Sequence, residues 1–453
     1  MAPPGKFVTG STMRHVVVMT VSGSLGLLFM FLVDFVALWW VSQLGVERLV
    51  AAVGFAWTIQ FATVSVAIGM MIAAVALVSR ALGRGNVARA RRLATSAMVI
   101  TVLVQSCVAL CVFMFRDQIL AVSGAQGETL DIASRFLGIS IPSLPLMAVG
   151  MIASAVLRAA GDAWRAMFVT TSAGMVALVI DPLLIMVLEL GVDGAAMAIV
   201  ISRGTTALVG LYFVHRVHSL LAPFRLQDAT RFARPYFEIA LPAIATQMAT
   251  PFGNWILTRE IAEFGDSAVA GWGVVSRLTI LAFGGIFALS GAIGGIIGQN
   301  YGAGRLDRVA QAYLDALKFC LLYTLVTWGL LFALQGPIIA GFNLSGDGAE
   351  VVRAFNSIAA GAFIFTGALF VSNAAFNNLG KPLWSTWANW ARDGLLMFPL
   401  ATAMGGLLAA PGVIYAQGIA GVVTGVIAAF VGWRFVQGLE GRGNRLMSTS
   451  ETR

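Results

Sequence analysis

The fold class follows from one apolar stretch, HVVVMTVSGSLGLLFMFLVDFVALWWV, which occupies residues 15–41. A helix needs about 20 residues to cross the roughly 30 Å hydrocarbon core of a bilayer, and this stretch is longer than that. It has no obvious small-residue cleavage site, so we interpret it as a membrane span and not as a signal peptide. The stretch therefore predicts an integral membrane protein.

The remainder of the 453-residue chain has the same character. Apolar residues make up 58% of it and charged residues only 11%, less than half of the roughly 25% that is typical of soluble domains. This composition excludes a water-soluble enzyme. Apolar runs between charged breaks predict an all-α membrane protein with twelve transmembrane helices, at residues 15–41, 51–79, 93–115, 132–157, 165–190, 192–217, 236–262, 268–298, 314–341, 351–377, 383–408 and 412–438.

Charged residues are divided unevenly between the two sets of connections. The connections after spans 2, 4, 6, 8 and 10 are rich in arginine, as are the two tails, whereas the alternate connections are mainly acidic. The positive-inside rule then predicts a plasma (inner) membrane protein with both termini in the cytoplasm. This orientation explains the net charge of +8, so we expect a lipid bilayer and no nucleic acid as the partner.

Turn glycines reveal an internal repeat. Gly83 and Gly302 are 219 residues apart, and so are Gly161 and Gly380. An offset of six spans predicts two pseudo-symmetric six-helix lobes of the same orientation, related by an axis along the membrane normal. Two such lobes facing each other favour alternating access. The predicted division is an N-terminal lobe, a cytoplasmic linker, a C-terminal lobe and a cytoplasmic tail, at residues 1–217, 218–235, 236–438 and 439–453.

Two aspartates lie inside predicted spans, where an ionisable group is costly and needs a reason. Asp34 is in the first span, and Asp181 is in the fifth, just before Pro182. Proline frees a backbone carbonyl one turn earlier, which makes a polar kink beside Asp181. We interpret both aspartates as proton- or cation-coupling groups. The alternative is that they brace the bundle, either protonated or paired with an arginine.

The remaining intramembrane charges are expected to be structural. Arg203 is expected to pair with an aspartate of its own half, and Arg277 to extend toward a membrane surface. Arg392 and Asp393 are adjacent, so we expect them to point to different faces of their helix.

The second half has no acid at the positions 219 residues after the two aspartates. These positions are Gly253 and Leu400. We therefore expect the ion chemistry to be confined to the first half.

Enzyme chemistry finds no support in the residue pattern. The three cysteines and three histidines form no metal-ligand set, and no nucleophile is paired with a base at an informative spacing. We expect no metal, no cofactor and no catalytic residue.

Several motifs in order along the chain resemble one transporter family. They are Val33-Asp34-Phe35, the turn at 157–162, Asp181-Pro182 and the loop at 298–305. Together they are similar to the MATE (multidrug and toxic compound extrusion) family, over nearly the whole chain. The resemblance implies a two-lobe antiporter of twelve helices that exports organic, often cationic, compounds in exchange for protons or sodium ions. It also implies that Asp34 and Asp181 are the acidic pair of the first lobe.

The chain departs from the family pattern at several positions. Ala177 stands where the proton-coupled branch usually has an asparagine. The proton relay around Asp181 therefore has fewer polar groups than is usual in that branch. Sodium-coupled members tend to carry acids in spans 7 and 10. The polar residues that this chain offers there are not ionisable: Gln247, Asn254, Thr366 and Asn373. We therefore favour proton coupling through Asp34, with sodium coupling as the alternative.

The predicted function is secondary active efflux of a small organic cation or amphiphile by proton antiport. Candidate polar contacts to substrate are Gln60, Gln247, Asn254 and Asn373; helix–helix or lipid-facing roles remain open for each. A flippase for lipid-linked saccharides is a second hypothesis, and a membrane scaffold or sensor is a third, from another class. The two-lobe plan needs one chain, so we expect a monomer. Substrate identity and stoichiometry are not encoded in a readable pattern.

Overall fold

The computed structural model describes residues 5–42 and 47–451. Within these ranges the chain forms fourteen α-helices joined by short turns, and no β-strand. Several helices are pieces of one longer membrane span, so the number of spans is smaller than the number of helices.

The first lobe contains seven helices. They are α1 (Thr12–Ser42), α2 (Glu47–Gly83), α3 (Val87–Val122), α4 (Gly127–Ser140), α5 (Leu144–Ala159), α6 (Ala163–Pro182) and α7 (Gly191–Tyr212). The 3-10 turn Ile141–Ser143 joins α4 to α5, because Pro142 and Pro145 remove backbone donors there. The two helices form one continuous stretch, Gly127–Ala159, long enough to cross a membrane.

The second lobe also contains seven helices. They are α8 (Leu226–Ala262), α9 (Asp266–Gly302), α10 (Leu306–Gly341), α11 (Gly346–Ser357), α12 (Phe363–Leu379), α13 (Pro382–Trp390) and α14 (Met397–Glu451). The π-turn Ala391–Leu396 joins α13 to α14. Ala409 has a φ of 55° and interrupts α14, so the stretch Pro382–Gly441 makes two passes.

Hydropathy located the spans but not the helix ends. Ten stretches of the described residues are long and apolar enough to cross a membrane, and α8 lies outside this set. It begins at Leu226, so the predicted linker at 218–235 is helical over much of its length. The predicted tail is also part of α14. An apolar run marks only the lipid-facing part of a helix, whereas backbone hydrogen bonding continues into the polar region.

Helices of the two lobes pack directly on each other. α1 lies against α9, and α2 lies against α8 and α9. The approach is close at Gly69, where an added β-carbon would lie 2.6 Å from the backbone nitrogen of Ile244. Small residues permit such contact between membrane helices.

Candidate functional site

The two acidic residues predicted from sequence lie on neighbouring helices of the first lobe. α1 packs closely on α6, because Gly174 leaves room for Phe29 and Val33. Asp34 is next to this contact on α1, and Asp181 is two turns beyond it on α6. Asp181 is only 4% exposed, and the two carboxyl groups are near enough for their charges to interact.

Neither carboxyl group is held by the protein. Across the described residues, no side chain or backbone group forms a hydrogen bond or ion pair with Asp34 or Asp181. A bracing aspartate is normally paired or hydrogen-bonded, since an unsatisfied polar group in an apolar interior is costly. The geometry therefore fits two groups that exchange a proton or a cation better than two structural groups.

Arg203 does not pair with an aspartate, so that prediction is wrong. Its Nη1 donates to Ser140 O and to Ser143 Oγ, both at 2.9 Å, and its Nη2 donates to Gln60 Oε1 at 2.7 Å. The break between α4 and α5 explains this arrangement. Leu144 N donates to Ile141 O, which leaves Ser140 O as an acceptor for the guanidinium.

The four polar candidates lie in different surroundings. Gln60 is 4% exposed and belongs to the Arg203 cluster, where its Nε2 also donates to Ser140 Oγ at 3.5 Å. Asn373 is buried on α12, and its Oδ1 has no described partner. Gln247 is half-buried on α8, and Asn254 is exposed. Of the four, Asn254 lines one of the two described cavities.

The larger of these two cavities lies inside the second lobe, and its empty volume is about 910 Å³ when the space open to solvent is included. We call it the second-lobe cavity. Its walls come from α8, α9, α12, α14 and the π-turn, and include Asn254, Trp272, Phe363, Phe370, Arg392 and Asp393.

Arg392 and Asp393 do not point to different faces, so that prediction is also wrong. Arg392 Nε donates to Asp393 Oδ1 and Nη2 donates to Oδ2, each at 2.7 Å. The wider π-turn Ala391–Leu396 alters the side-chain directions that an α-helix would give. Both residues are buried, at 7% and 4% exposure, and the pair forms part of the cavity wall.

The second lobe does place an acid beside the position equivalent to Asp34. An added β-carbon on Gly253 would lie 2.8 Å from Asp393 Cβ. Asp393 is 219 residues after Gly174, the glycine that packs beside Asp34 in the first lobe. In the first lobe the acid, Asp34, is on the first span and the glycine is on the fifth. In the second lobe the glycine, Gly253, is on the helix equivalent to the first span, and the acid is on the helix equivalent to the fifth. Comparison of position 174 with position 393 would have found this relationship in the sequence.

Hydrogen bonds join the lobes at one end of the bundle. We call this end the basic face and define it by Lys6, Arg80, Gln299 and Arg308. Arg80 of α2 donates from Nε and Nη2 to the carbonyl oxygens of Asn378 and Asn377 of α12, at 2.8 and 3.0 Å. Gln299 Nε2 of α9 donates to Ala159 O of α5 at 2.6 Å.

The segment before α1 adds a second bridge at the basic face. Lys6 Nζ donates to Gly161 O of the first lobe at 2.8 Å. Two second-lobe residues bind the backbone of Phe7: Gln299 Oε1 accepts from Phe7 N at 2.9 Å, and Arg308 Nη2 donates to Phe7 O at 3.0 Å. The basic face is therefore closed.

The glycine loop at 298–305 takes part in this closure. An added β-carbon on Gly302 would overlap the carbonyl oxygen of Arg80, and one on Gly83 would overlap that of Gln299. Gly83 and Gly302 are equivalent in the repeat, and so are Arg80 and Gln299. The contact is thus reciprocal, as expected around a two-fold axis.

Comparison with known proteins identifies the family. The model of the MatE family matches residues 24–183 and 242–402. The chain belongs to the MATE family. Its members are transporters and not enzymes, which excludes the scaffold or sensor hypothesis. The predicted all-α fold with twelve transmembrane helices in two lobes is confirmed, and the chain is a multi-pass multidrug or toxic compound transporter.

Related transporters carry different names. A protein of Shewanella oneidensis named FAD transporter is 27% identical over 404 residues, which are 88% of this chain and 89% of that protein. The multidrug export protein MepA of Staphylococcus aureus is 23% identical over 347 residues, 76% of each chain. A crystal structure of a mutant of the Vibrio cholerae MATE transporter VcmN is 22% identical, with a TM-score of 0.89, over 95% of this chain and 97% of that one.

Proposed function

We propose that this MATE transporter exports organic compounds by proton antiport through alternating access, with Asp34 as the proton-binding group and Asp181 as its partner. The observation that carries the proposal is the unpaired Asp34–Asp181 arrangement between α1 and α6. Two carboxyl groups that interact in an apolar medium favour a state in which at least one of them holds a proton. The sites and the coupling ion are part of this proposal.

The closed basic face supports an orientation and a state. We infer from the positive-inside rule that this face lies on the cytoplasmic side of the plasma membrane, with both termini there. The described conformation is then closed to the cytoplasm. A proton from outside binds at Asp34, rearranges α1 and releases the substrate outward. Opening inward requires breakage of the Arg80, Gln299 and Lys6 bonds, after which the proton leaves.

The proposed substrates are organic cations and amphiphiles, and the transporter acts as a monomer. An acidic pair with no protein partner attracts a cation when it is deprotonated, so proton and substrate compete. This fits the name of the MepA relative, a multidrug exporter. A second candidate cargo is an anionic aromatic compound such as FAD, the compound in the name of the Shewanella relative. The observation that favours it is Arg392 in the wall of the second-lobe cavity.

Two other hypotheses receive less support from the geometry. A sodium site in the second lobe needs free carboxylates, and the carboxylate of its cavity, Asp393, is already bonded to Arg392. A lipid-linked saccharide flippase needs several free basic groups for a pyrophosphate. Arg203 already donates hydrogen bonds to Gln60, Ser140 and Ser143. Too few free basic groups then remain to bind a pyrophosphate.

Proton flux driven by an organic cation tests the proposal. Proteoliposomes with a pH-sensitive dye inside receive ethidium, and wild type is compared with Asp34→Asn. We expect ethidium-dependent proton movement in wild type and none in the variant. Asp307→Asn is the matched control, because Asp307 is exposed outside the predicted spans and bonds to Arg305; it should keep full flux. Equal flux in wild type and Asp34→Asn would remove Asp34 from the mechanism.

A further inference from the structure

We propose that the second-lobe cavity binds aromatic compounds that carry an oxyanion, a carboxylate or a phosphate, and that the guanidinium of Arg392 receives this group. The inference rests on the proposed export function, since the cavity would be a subsite of the transport route for the second candidate cargo, an anionic aromatic compound. It assigns a ligand-binding role to Arg392 and a positioning role to Asp393.

Burial of the Arg392–Asp393 pair calls for an explanation other than stability. Both side chains lie in the membrane interior, where removal from water costs each ion several kcal/mol. Replacement of a buried ion pair by apolar residues is often neutral or stabilising, so such a pair is weak evidence of a structural role. Intramembrane charges instead tend to mark substrate or ion pathways.

The guanidinium is fixed in orientation and only partly occupied. Arginine has five N–H donors in a planar fork. Asp393 takes Nε and Nη2, and Thr250 Oγ1 lies 3.5 Å from Nη2. Nη1 donates to no acceptor among the described residues. The edge formed by Nη1 and the second proton of Nη2 matches the two oxygens of a carboxylate or phosphate.

The surroundings of Arg392 suit an aromatic ligand. The carbon of its guanidinium lies 5.9 Å from the centre of the Phe370 ring, and Trp272 and Phe363 also line the cavity.

The charge distribution in the cavity favours an anion over a cation. Arg392 and Asp393 are the charged members of the described lining. A cation finds only the Asp393 carboxylate, whose two oxygens already accept hydrogen bonds from Arg392. An anion finds the free edge of the guanidinium.

Binding of matched naphthalene probes tests the inference without any transport step. The full-length protein in nanodiscs of zwitterionic lipid is titrated calorimetrically with 2-naphthoate, 2-naphthyl phosphate and uncharged 2-naphthylmethanol. We expect both anions to bind at least about tenfold more tightly than the alcohol, as one charge-assisted hydrogen bond allows. The order of the two anions distinguishes a carboxylate from a phosphate ligand.

Three variants locate the preference. Arg392→Met should weaken binding of both anions about tenfold or more and leave the alcohol unchanged. Arg277→Met removes an exposed arginine of α9 that does not line the cavity, so it should change neither. Asp393→Asn should tighten anion binding, because it removes a negative charge beside the guanidinium and keeps an acceptor. If the pair is purely structural, Arg392→Met and Asp393→Asn should lower stability alike, and neither should change the preference for the anions over the alcohol.

Equal wild-type affinity for the anions and the alcohol would overturn the inference, and so would unchanged anion affinity in Arg392→Met or weaker anion binding in Asp393→Asn. If Arg392→Met is not monodisperse, Arg392→Lys replaces it. This variant keeps the charge without the fork, and we expect anion affinity between those of wild type and the alcohol. If wild type shows no ethidium-driven proton flux but still binds the anions more tightly than the alcohol, the export mechanism is refuted and the anion site is not.

Discussion

Asp393 lies against Gly253, with its Cβ only 2.8 Å from the point that a β-carbon on Gly253 would occupy. Gly253 is the repeat equivalent of Asp34, and Gly174 is the equivalent of Asp393. Each lobe therefore has one acid and one glycine at the same pair of helix positions, but on opposite helices. In the first lobe the acid is unpaired, whereas in the second Arg392 neutralises it. We propose that this difference separates a proton-exchanging site in the first lobe from a ligand-binding site in the second.

A methyl group at Gly253 should disturb the second lobe. Gly253→Ala places a β-carbon against Asp393, and overpacking of a close contact costs about 1–3 kcal/mol. Thermal unfolding in detergent measures the effect. Gly273→Ala is the control, since an added β-carbon there has no neighbour within 4 Å, and alanine favours a helix by about 1 kcal/mol over glycine. Equal stability of the two variants would contradict the close contact.

Loss of Gln299 should open the basic face. Gln299→Ala removes the bonds to Phe7 N and Ala159 O, worth about 1 kcal/mol each, which shifts the lobe equilibrium roughly thirtyfold toward the inward-open state. Spin labels at positions 84 and 305 in a cysteine-free background report the change as a longer distance. Gln311→Ala should leave the distance unchanged, because Gln311 bonds to Asp315 within α10. No lengthening in Gln299→Ala would count against the closure.

Arg203 should contribute to stability and not to coupling. Arg203→Met removes three hydrogen bonds from a charged donor, so we expect a loss of about 2 kcal/mol or more in the free energy of unfolding. The protein that remains folded should keep its ratio of protons to substrate. Arg277→Met, at an exposed position of α9, should leave stability within about 0.5 kcal/mol. A changed ratio in Arg203→Met would place this cluster in the transport mechanism.

Asp162 should stabilise the turn before α6 in a pH-dependent manner. Burial raises the pKa of this carboxyl, but hydrogen bonds from Arg165 and His218 outweigh it and the net pKa is lowered. Because the folded-state pKa is below that of the unfolded chain, the stabilisation is complete above about pH 4. It is lost as the pH falls through the lowered value.

Asp162→Ala tests this relationship. Its loss of about 1 kcal/mol, typical of an N-cap aspartate, should be present at pH 5 and shrink below about pH 4. Unfolding curves at several pH values measure it, with Asp131→Ala at an exposed position of α4 as the control. A loss that grows toward low pH would show that the sign is wrong.

Exchange of one proton for one organic monocation should make transport depend on the pH gradient and not on the membrane potential. One proton moving inward at 100 mV releases about 2.3 kcal/mol, but an organic monocation that leaves for each proton cancels the charge movement. Transport should then follow the pH gradient. Ethidium efflux from proteoliposomes under a valinomycin-imposed potential, at zero pH gradient, should stay near background. Strong efflux under that potential would exclude this stoichiometry.

The sequence predicted the spans and the acidic pair because hydropathy and an intramembrane charge are local signals. Asp34 stands out within an apolar run, and its neighbour Asp181 was found in the same way. The Arg392–Asp393 pair was missed because its geometry depends on a π-turn. The acid beside Gly253 was missed because the offset of 219 was applied only to the two aspartates, whereas Asp393 is the repeat equivalent of a glycine, Gly174. The start of α8 at Leu226 was missed because polar helices have no apolar signal.

The central claim is that proton and substrate compete at Asp34, and proton release on substrate binding tests it most directly. Purified protein in weakly buffered detergent solution is mixed with ethidium while a dye reports the pH. We predict that wild type releases protons in proportion to bound ethidium near neutral pH, and that Asp34→Asn binds ethidium without release. Equal release from wild type and Asp34→Asn, at equal ethidium binding, would contradict the account.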